Sequence, residues 1–270
     1  MTGDPEATWR REGYWLKSQS PLQALIFLLP LIVAYDLSLM LLGTEKVRQV
    51  LQMQRPVGDI KARRMLFDFF EWFGISGYYL PGLAVVIVLL AWHQVRRDRW
   101  SFEPRLYLMM WVESILLSLP LFVFGMVVKR LSLQALVAPE PDGFGGASTA
   151  IALSIGAGIY EELLFRLIGL ALLHFVLADW LKAPEPWGAG LSIGLTALAF
   201  AAYHFTGPEL SSLVRFEDRQ VWGRCLFYFA AGVYFAFVYL ARGFGIVVWT
   251  HAIYDVLVFV LRMQNDFEGS

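Results

Sequence analysis

Glu161, Glu162 and Arg166 lie close together in Gly158-Ile-Tyr-Glu161-Glu162-Leu-Leu-Phe-Arg166, within a stretch that is otherwise apolar. Two later apolar stretches carry the other candidates, His204 at the end of Phe200-Ala-Ala-Tyr-His204 and the pair in His251-Ala-Ile-Tyr-Asp255. Carboxylates and imidazoles are the side chains that move protons to and from a water attacking a carbonyl. Charge in such surroundings is costly. Three unpaired ionised groups at mid-membrane would cost on the order of 10 kcal/mol by insertion scales, so partners must compensate them.

The spacing indicates how. Glu162 and Arg166 are four apart, with acid before base, and share one helix face as an ion pair. Glu161 lies about 100° around an ideal helix from Glu162 and is the carboxylate left available as a base. A buried ion-pair network joining helices would account for Glu162 and Arg166, but it has no need of the second glutamate. His251 and Asp255 are also four apart, so the aspartate can accept a hydrogen bond from one ring nitrogen and fix its tautomer.

Two chemistries can use this set. In one, Glu161 and His204 hold and deprotonate a water, while His251 and Asp255 stabilise the oxyanion. In the other, His204 and His251 with a carboxylate hold zinc, and the remaining glutamate activates its water. No His-Glu-x-x-His spacing is present, and Cys225, the single cysteine, cannot form a cysteine-rich zinc site or an internal disulfide. The metal-free version is the expectation, with no organic cofactor. His174 reads as a spare near an interface, and His93, beside Arg96 and Arg97, as a loop or helix-end residue.

The elements that must position these residues are membrane helices. Hydrophobic residues make up 57% of the 270 and charged ones 17%, and the mean hydropathy is +0.55, outside the balance of a soluble domain. Apolar runs at 22–42, 77–92, 106–128, 149–178, 188–205, 225–240 and 245–261 predict an all-α, multi-pass bundle of about seven to eight membrane helices around an enclosed polar cavity. The first run exceeds the h-region of a signal peptide and is expected to remain as a membrane helix. A net charge of −1 gives no basic excess for nucleic acid. Lys and Arg divide almost evenly between the two sides of a seven-span arrangement, so charge does not set the orientation.

The turn-rich segment 138–148 reads as a linker between N-terminal membrane helices with a basic loop (1–137) and the membrane domain holding the charged motifs (149–262), with a polar tail at 263–270. In the first part, Asp36 and Glu113 are the ionisable residues within apolar runs. The aromatic segment 65–74 fits an interfacial helix or the wet end of the second membrane helix. Gly156, Gly158 and the pair Gly190 and Gly194 would let helix backbones approach closely.

The three motifs, Glu161-Glu162-x-x-x-Arg166, Phe200-x-x-x-His204 and His251-x-x-x-Asp255, resemble in order the CPBP intramembrane proteases, the family of CAAX prenyl endopeptidases and bacteriocin-processing proteins also called Abi. The resemblance covers roughly residues 148–260. It implies a helical bundle with a water-accessible cavity, Glu161 and His204 activating water, His251 and Asp255 forming the oxyanion site, and Glu162 with Arg166 supporting Glu161. The prenyl endopeptidase branch typically has asparagine at the last position. Asp255, which accepts but does not donate when ionised, places the chain nearer the bacterial members. The resulting expectation is a multi-pass protease of a bacterial-type cell membrane, acting on a membrane protein or peptide near the bilayer surface. The rivals are a non-catalytic scaffold or immunity protein of the same fold, and a transporter using the carboxylates as a proton relay. A transporter would be expected to show internal repeats, and none is visible.

Overall fold

A helix satisfies every backbone N–H and C=O within its own segment, the requirement that hydrocarbon imposes on a spanning chain. The computed structural model describes residues 13–43, 60–77, 79–130, 146–215 and 218–268, and among them there is no strand. In chain order the helices are α1 (Tyr14–Ser18), α2 (Pro21–Gly43), α3 (Lys61–Trp72), α4 (Leu80–Arg96), α5 (Pro104–Arg130), α6 (Gly146–Glu162), α7 (Ala171–His174), α8 (Glu185–Tyr203), α9 (Gly207–Arg215), α10 (Arg219–Arg242) and α11 (Phe244–Glu268). Two π-helical stretches, Leu163–Leu170 and Phe175–Trp180, flank α7, so the chain runs from α6 to Trp180 as one long rod.

All seven apolar runs fall on helices, and the chain is a multi-pass membrane bundle. Five segments have the length and composition to span a bilayer: Pro21–Leu41, Pro104–Val128, Ser148–Trp180, Arg219–Arg242 and Phe244–Leu261. Helices α8 and α9 together make a sixth apolar pair, bent by 120°, and α4 is shorter than the others. Pro30 and Pro120 lie inside α2 and α5, where neighbouring helices can re-satisfy the carbonyls they leave unpaired.

Helix α11 is the central post. Its Ile246, Val247 and Val248 are fully enclosed, and it packs against α6, α5, α2 and α10. Gly158 permits the closest of these approaches, because a Cβ there would lie 2.7 Å from the carbonyl oxygen of Val248. Gly156 does similar work against Tyr35 of α2. Gly190 and Gly194 do not. Both face open space, so the small-residue reading of that pair is corrected: the close packing of α8 occurs at Gly232 of α10, where a Cβ would meet Ala197 Cα at 2.8 Å.

Ends are set by local chemistry. Asp218 caps α10 by accepting from the backbone N–H of Gln220 at 2.7 Å. Gly243, at φ +86°, stops α10 and lets α11 begin at the next residue. At this corner Arg242 is buried and paired with Glu113 of α5, its Nη2 donates to the Ser18 hydroxyl at 3.1 Å, and its guanidinium lies 3.7 Å from the Trp15 ring centroid. Tyr14 donates to the same Glu113. The acidic residue of the third apolar run is therefore the centre of a clamp joining α1, α5 and α10. Asp36 sits against Gly82 of α4.

Other expectations are also resolved. The segment 65–74 belongs to a separate helix, α3, ended by Gly74 at φ +74°, with Phe69, Trp72 and Phe73 exposed as on an interfacial helix. The 263–270 tail is helical as far as Glu268. Residues 138–145 of the linker and most of the basic loop, 44–59, lie outside the described residues. His93 is the helix-end residue of the two readings: it is buried in the last turn of α4, edge-on to Trp100 with centroids 4.5 Å apart.

Candidate active site

Glu161 and Glu162 end α6 where the backbone widens from α to π geometry, a change in helical winding often found at functional sites. Arg166 lies within the π-helical stretch and keeps its partner, with Nε 3.1 Å from Oε2 of Glu162. All three are buried. Arg166 Nη2 also donates to the carbonyl of Gly232 at 3.3 Å, and the guanidinium lies over the rings of Phe200 at 4.3 Å and Phe235 at 5.4 Å. A cation so enclosed is held by one carboxylate, one carbonyl and two aromatic faces.

The other oxygen of Glu162 reaches α11. Oε1 accepts a hydrogen bond from His251 Nδ1 at 2.7 Å. Asp255 Oδ2 lies 3.6 Å from His251 Nε2, beyond direct hydrogen-bond reach. The expected orienting bond within the His251-x-x-x-Asp255 motif is thus replaced by one from a different helix. The ring presents Nδ1 to α6, where the Glu162 carboxylate is held by Arg166, and leaves Nε2 on the side of Asp255.

Glu161 points the other way and sits between the two imidazoles. Its Oε2 is 3.6 Å from His204 Nε2 and 3.9 Å from His251 Nε2. His204 caps α8, and its Nδ1 lies 2.8 Å from the Phe200 carbonyl oxygen. A carbonyl only accepts, so Nδ1 donates and the neutral ring presents a bare lone pair at Nε2 toward Glu161. The chain then turns by 120° into α9, so α8 ends at Tyr203. It stops at the level of Glu161. Of the six motif residues, His204 is the most accessible, its side chain 18% exposed against 0–7% for the rest. The site opens on its side.

Helix α10 supplies parts that no motif announced. Tyr228 stacks on His204 with centroids 3.9 Å apart and planes 18° apart, and Phe235 stacks on His251 at 4.5 Å and 18°. Gly232, between them, gives its carbonyl to Arg166. The signal was present in the run 225–240, because Tyr228, Gly232 and Phe235 follow the four-then-three spacing of a single face, but the run has no charge to draw attention.

His174 is outside the group, half-exposed and 3.9 Å from Glu185. Among the described residues no group of three or more His, Cys, Asp or Glu is arranged to hold a metal ion.

The arrangement is a buried polar cluster among membrane helices, with one carboxylate facing two imidazoles and the second carboxylate engaged by an arginine and a histidine. No curated protein and no solved structure matches the chain. A family model does: residues 144–257, which hold all three motifs and α10, match the model of the type II CAAX prenyl endopeptidase Rce1-like family, so this part of the chain is similar to that family.

Proposed function

We propose that the protein hydrolyses peptide bonds near the membrane surface with a water activated by Glu161 and His204. The observation that carries this reading is the placement of the Glu161 carboxylate within 4 Å of two imidazole nitrogens, of which His204 is the more exposed. A gap of 3.6 Å between Glu161 and His204 is too long for a direct bond and suits an oxygen shared by both. Water attacks the scissile carbonyl carbon as its proton passes to Glu161 or to the bare Nε2 of His204, and the same proton later goes to the leaving amine.

His251 takes the other role. Held through Nδ1 by Glu162, it presents Nε2 toward Glu161 and Asp255, and when protonated there it donates to the developing oxyanion. Asp255 lies alongside that nitrogen, 3.6 Å away. Arg166 and Glu162 are positioning residues that act through His251. Asp255, standing where the prenyl branch typically has asparagine, supports an unprenylated membrane protein or peptide as substrate, in a bacterial-type cell membrane and without an organic cofactor.

The test uses the purified full-length chain in lipid nanodiscs with a peptidase substrate pool, and membrane proteomes compared by peptide termini. Glu161→Gln and His204→Ala are expected to abolish cleavage at unchanged expression. Full activity in either variant overturns the assignment. Stoichiometric zinc whose chelation stops turnover would replace the metal-free mechanism with the zinc one. Folded protein with no cleavage of any substrate would favour a scaffold or immunity role.

A further inference from the structure

The N-terminal turn of α3 meets the C-terminal end of α8, and each supplies what the other lacks. A helix leaves its first N–H groups and its last carbonyls without partners inside the helix. Ile60 stands at the N-cap of α3 and, being apolar, offers no side-chain oxygen to that turn. The cap comes from another helix: the Tyr203 hydroxyl accepts from the backbone N–H of Ala62 at 2.8 Å. Ile60, Ala62 and Arg63 are buried, so the turn to which Tyr203 is tied is itself anchored.

The end of α8 is completed in the same place. Of its last four carbonyls, Phe200 accepts from His204 Nδ1 at 2.8 Å, and Ala201 and Ala202 accept from the N–H groups of His204 and Phe205, each at 3.1 Å. The fourth, Tyr203, takes its partner from α3, where Lys61 Nζ donates to it at 3.3 Å. The Tyr203 carbonyl and the His204 N–H belong to one peptide unit, so that unit is held at both ends. The Tyr203 ring is enclosed as well, edge-on to Phe165 at 5.4 Å and to His204 at 5.1 Å.

His204 is the last residue before the 120° turn, and helix ends fray unless they are tied. The 3.6 Å separation of its Nε2 from Glu161 Oε2 therefore depends on where the last turn of α8 is held. We infer that Tyr203 is a positioning residue for His204: by capping α3, its hydroxyl fixes the turn from which the imidazole faces Glu161. The inference rests on the peptidase reading above. It gives α3, outside the family-matched segment, a part in the site through a bond between two helix ends.

The experiment uses full-length protein in phosphatidylcholine nanodiscs. Wild type is compared with Tyr203→Phe, and with Tyr203→Phe combined with Ile60→Thr, which offers α3 a capping hydroxyl of its own. The readouts are melting temperature, kcat and KM on an apolar decapeptide whose cleavage Glu161→Gln abolishes, and the side-chain nitrogen NMR signals of isotope-labelled histidine. The His204 signal is identified by its absence from His204→Ala. Tyr203→Phe is expected to lower kcat about tenfold with KM within about twofold, as for the loss of one buried hydrogen bond. It should shift or broaden the His204 signal while those of His93 and His174 stay in place. The added threonine should restore the melting temperature and leave kcat and the His204 signal as they are in Tyr203→Phe. An unmoved His204 signal in Tyr203→Phe, equal changes at every histidine, or kcat restored together with the melting temperature overturns the inference and leaves Tyr203 as a cap of α3 alone. If wild type cleaves no peptide the peptidase reading fails, and a His204 signal that still moves alone in Tyr203→Phe retains the tether.

Discussion

Glu162 joins two helices with one carboxylate: Oε1 accepts from His251 Nδ1 at 2.7 Å and Oε2 pairs with Arg166 Nε at 3.1 Å. Both partners are buried, so the loss of this carboxylate strands a cation and frees an imidazole at once. Glu162→Ala should lower stability by about 3–5 kcal/mol, the usual effect of breaking a buried pair. Thermal unfolding in detergent reads this. Adding Arg166→Met should recover much of the stability without restoring cleavage, because His251 still lacks its Nδ1 partner.

Tyr228 lies with its ring face against His204, centroids 3.9 Å apart. Tyr228→Phe is expected to keep near-normal turnover. Tyr228→Ala, which removes a stacked pair with a value of about 0.5–1.5 kcal/mol, should reduce kcat/KM several-fold. Steady-state kinetics on any Glu161-dependent substrate distinguishes the two, and equal losses would point to the hydroxyl instead.

The glycines of α8 and α10 should separate by environment. Gly232→Ala places a methyl 2.8 Å from Ala197 Cα, in contact with backbone that cannot yield, and should destabilise by about 1–3 kcal/mol while weakening cleavage. Gly190→Ala meets nothing and should be neutral or slightly stabilising, because alanine favours the helix by up to about 1 kcal/mol. Melting temperatures of the pair give the comparison.

The clamp at the α10–α11 corner is testable by a double-mutant cycle. Glu113→Gln and Arg242→Met should each destabilise, and their combination should cost less than the sum, with a coupling of about 0.5–3 kcal/mol. Strict additivity would mean that the buried pair contributes no coupling.

Acid should loosen α9, which follows the 120° bend and packs on α10. The backbone N–H of Thr206, followed by Arg224, holds the Glu209 carboxyl down at about 2. A depressed carboxylate adds stability above its unfolded value, near 4.5, and that stability is lost as pH falls from there toward 2. The difference in melting temperature between wild type and Glu209→Gln should therefore be constant above pH 5 and shrink below it.

How much of this was legible in the sequence follows from what a linear pattern can encode. Apolar run length predicted the helical bundle, because the bilayer imposes it locally. Charged residues in those runs identified Glu161, Glu162, Arg166, His204, His251 and Asp255, because their burial has to be compensated. The Glu162–Arg166 pair was readable as a contact within one helix. The Glu162–His251 bond was not, since it depends on which faces of α6 and α11 meet, and that is decided by Gly158 packing on Val248. The π-helical widening after Glu162 and the bend after His204 are likewise tertiary outcomes. Tyr228 and Phe235 escaped notice because an aromatic residue in a membrane helix is unremarkable until its neighbour is known to be an imidazole.

Gly243 leaves a single residue between α10 and α11, and this bears on the order in which the pocket is assembled. The Phe235–His251 stack lies across a tight helical hairpin, a contact of low loop-closure cost, whereas the Glu162–His251 bond spans 89 residues. A hairpin of α10 and α11 can therefore settle one imidazole on its aromatic support before the carboxylates of α6 arrive, so the C-terminal wall serves as a template on which the acidic half of the pocket closes.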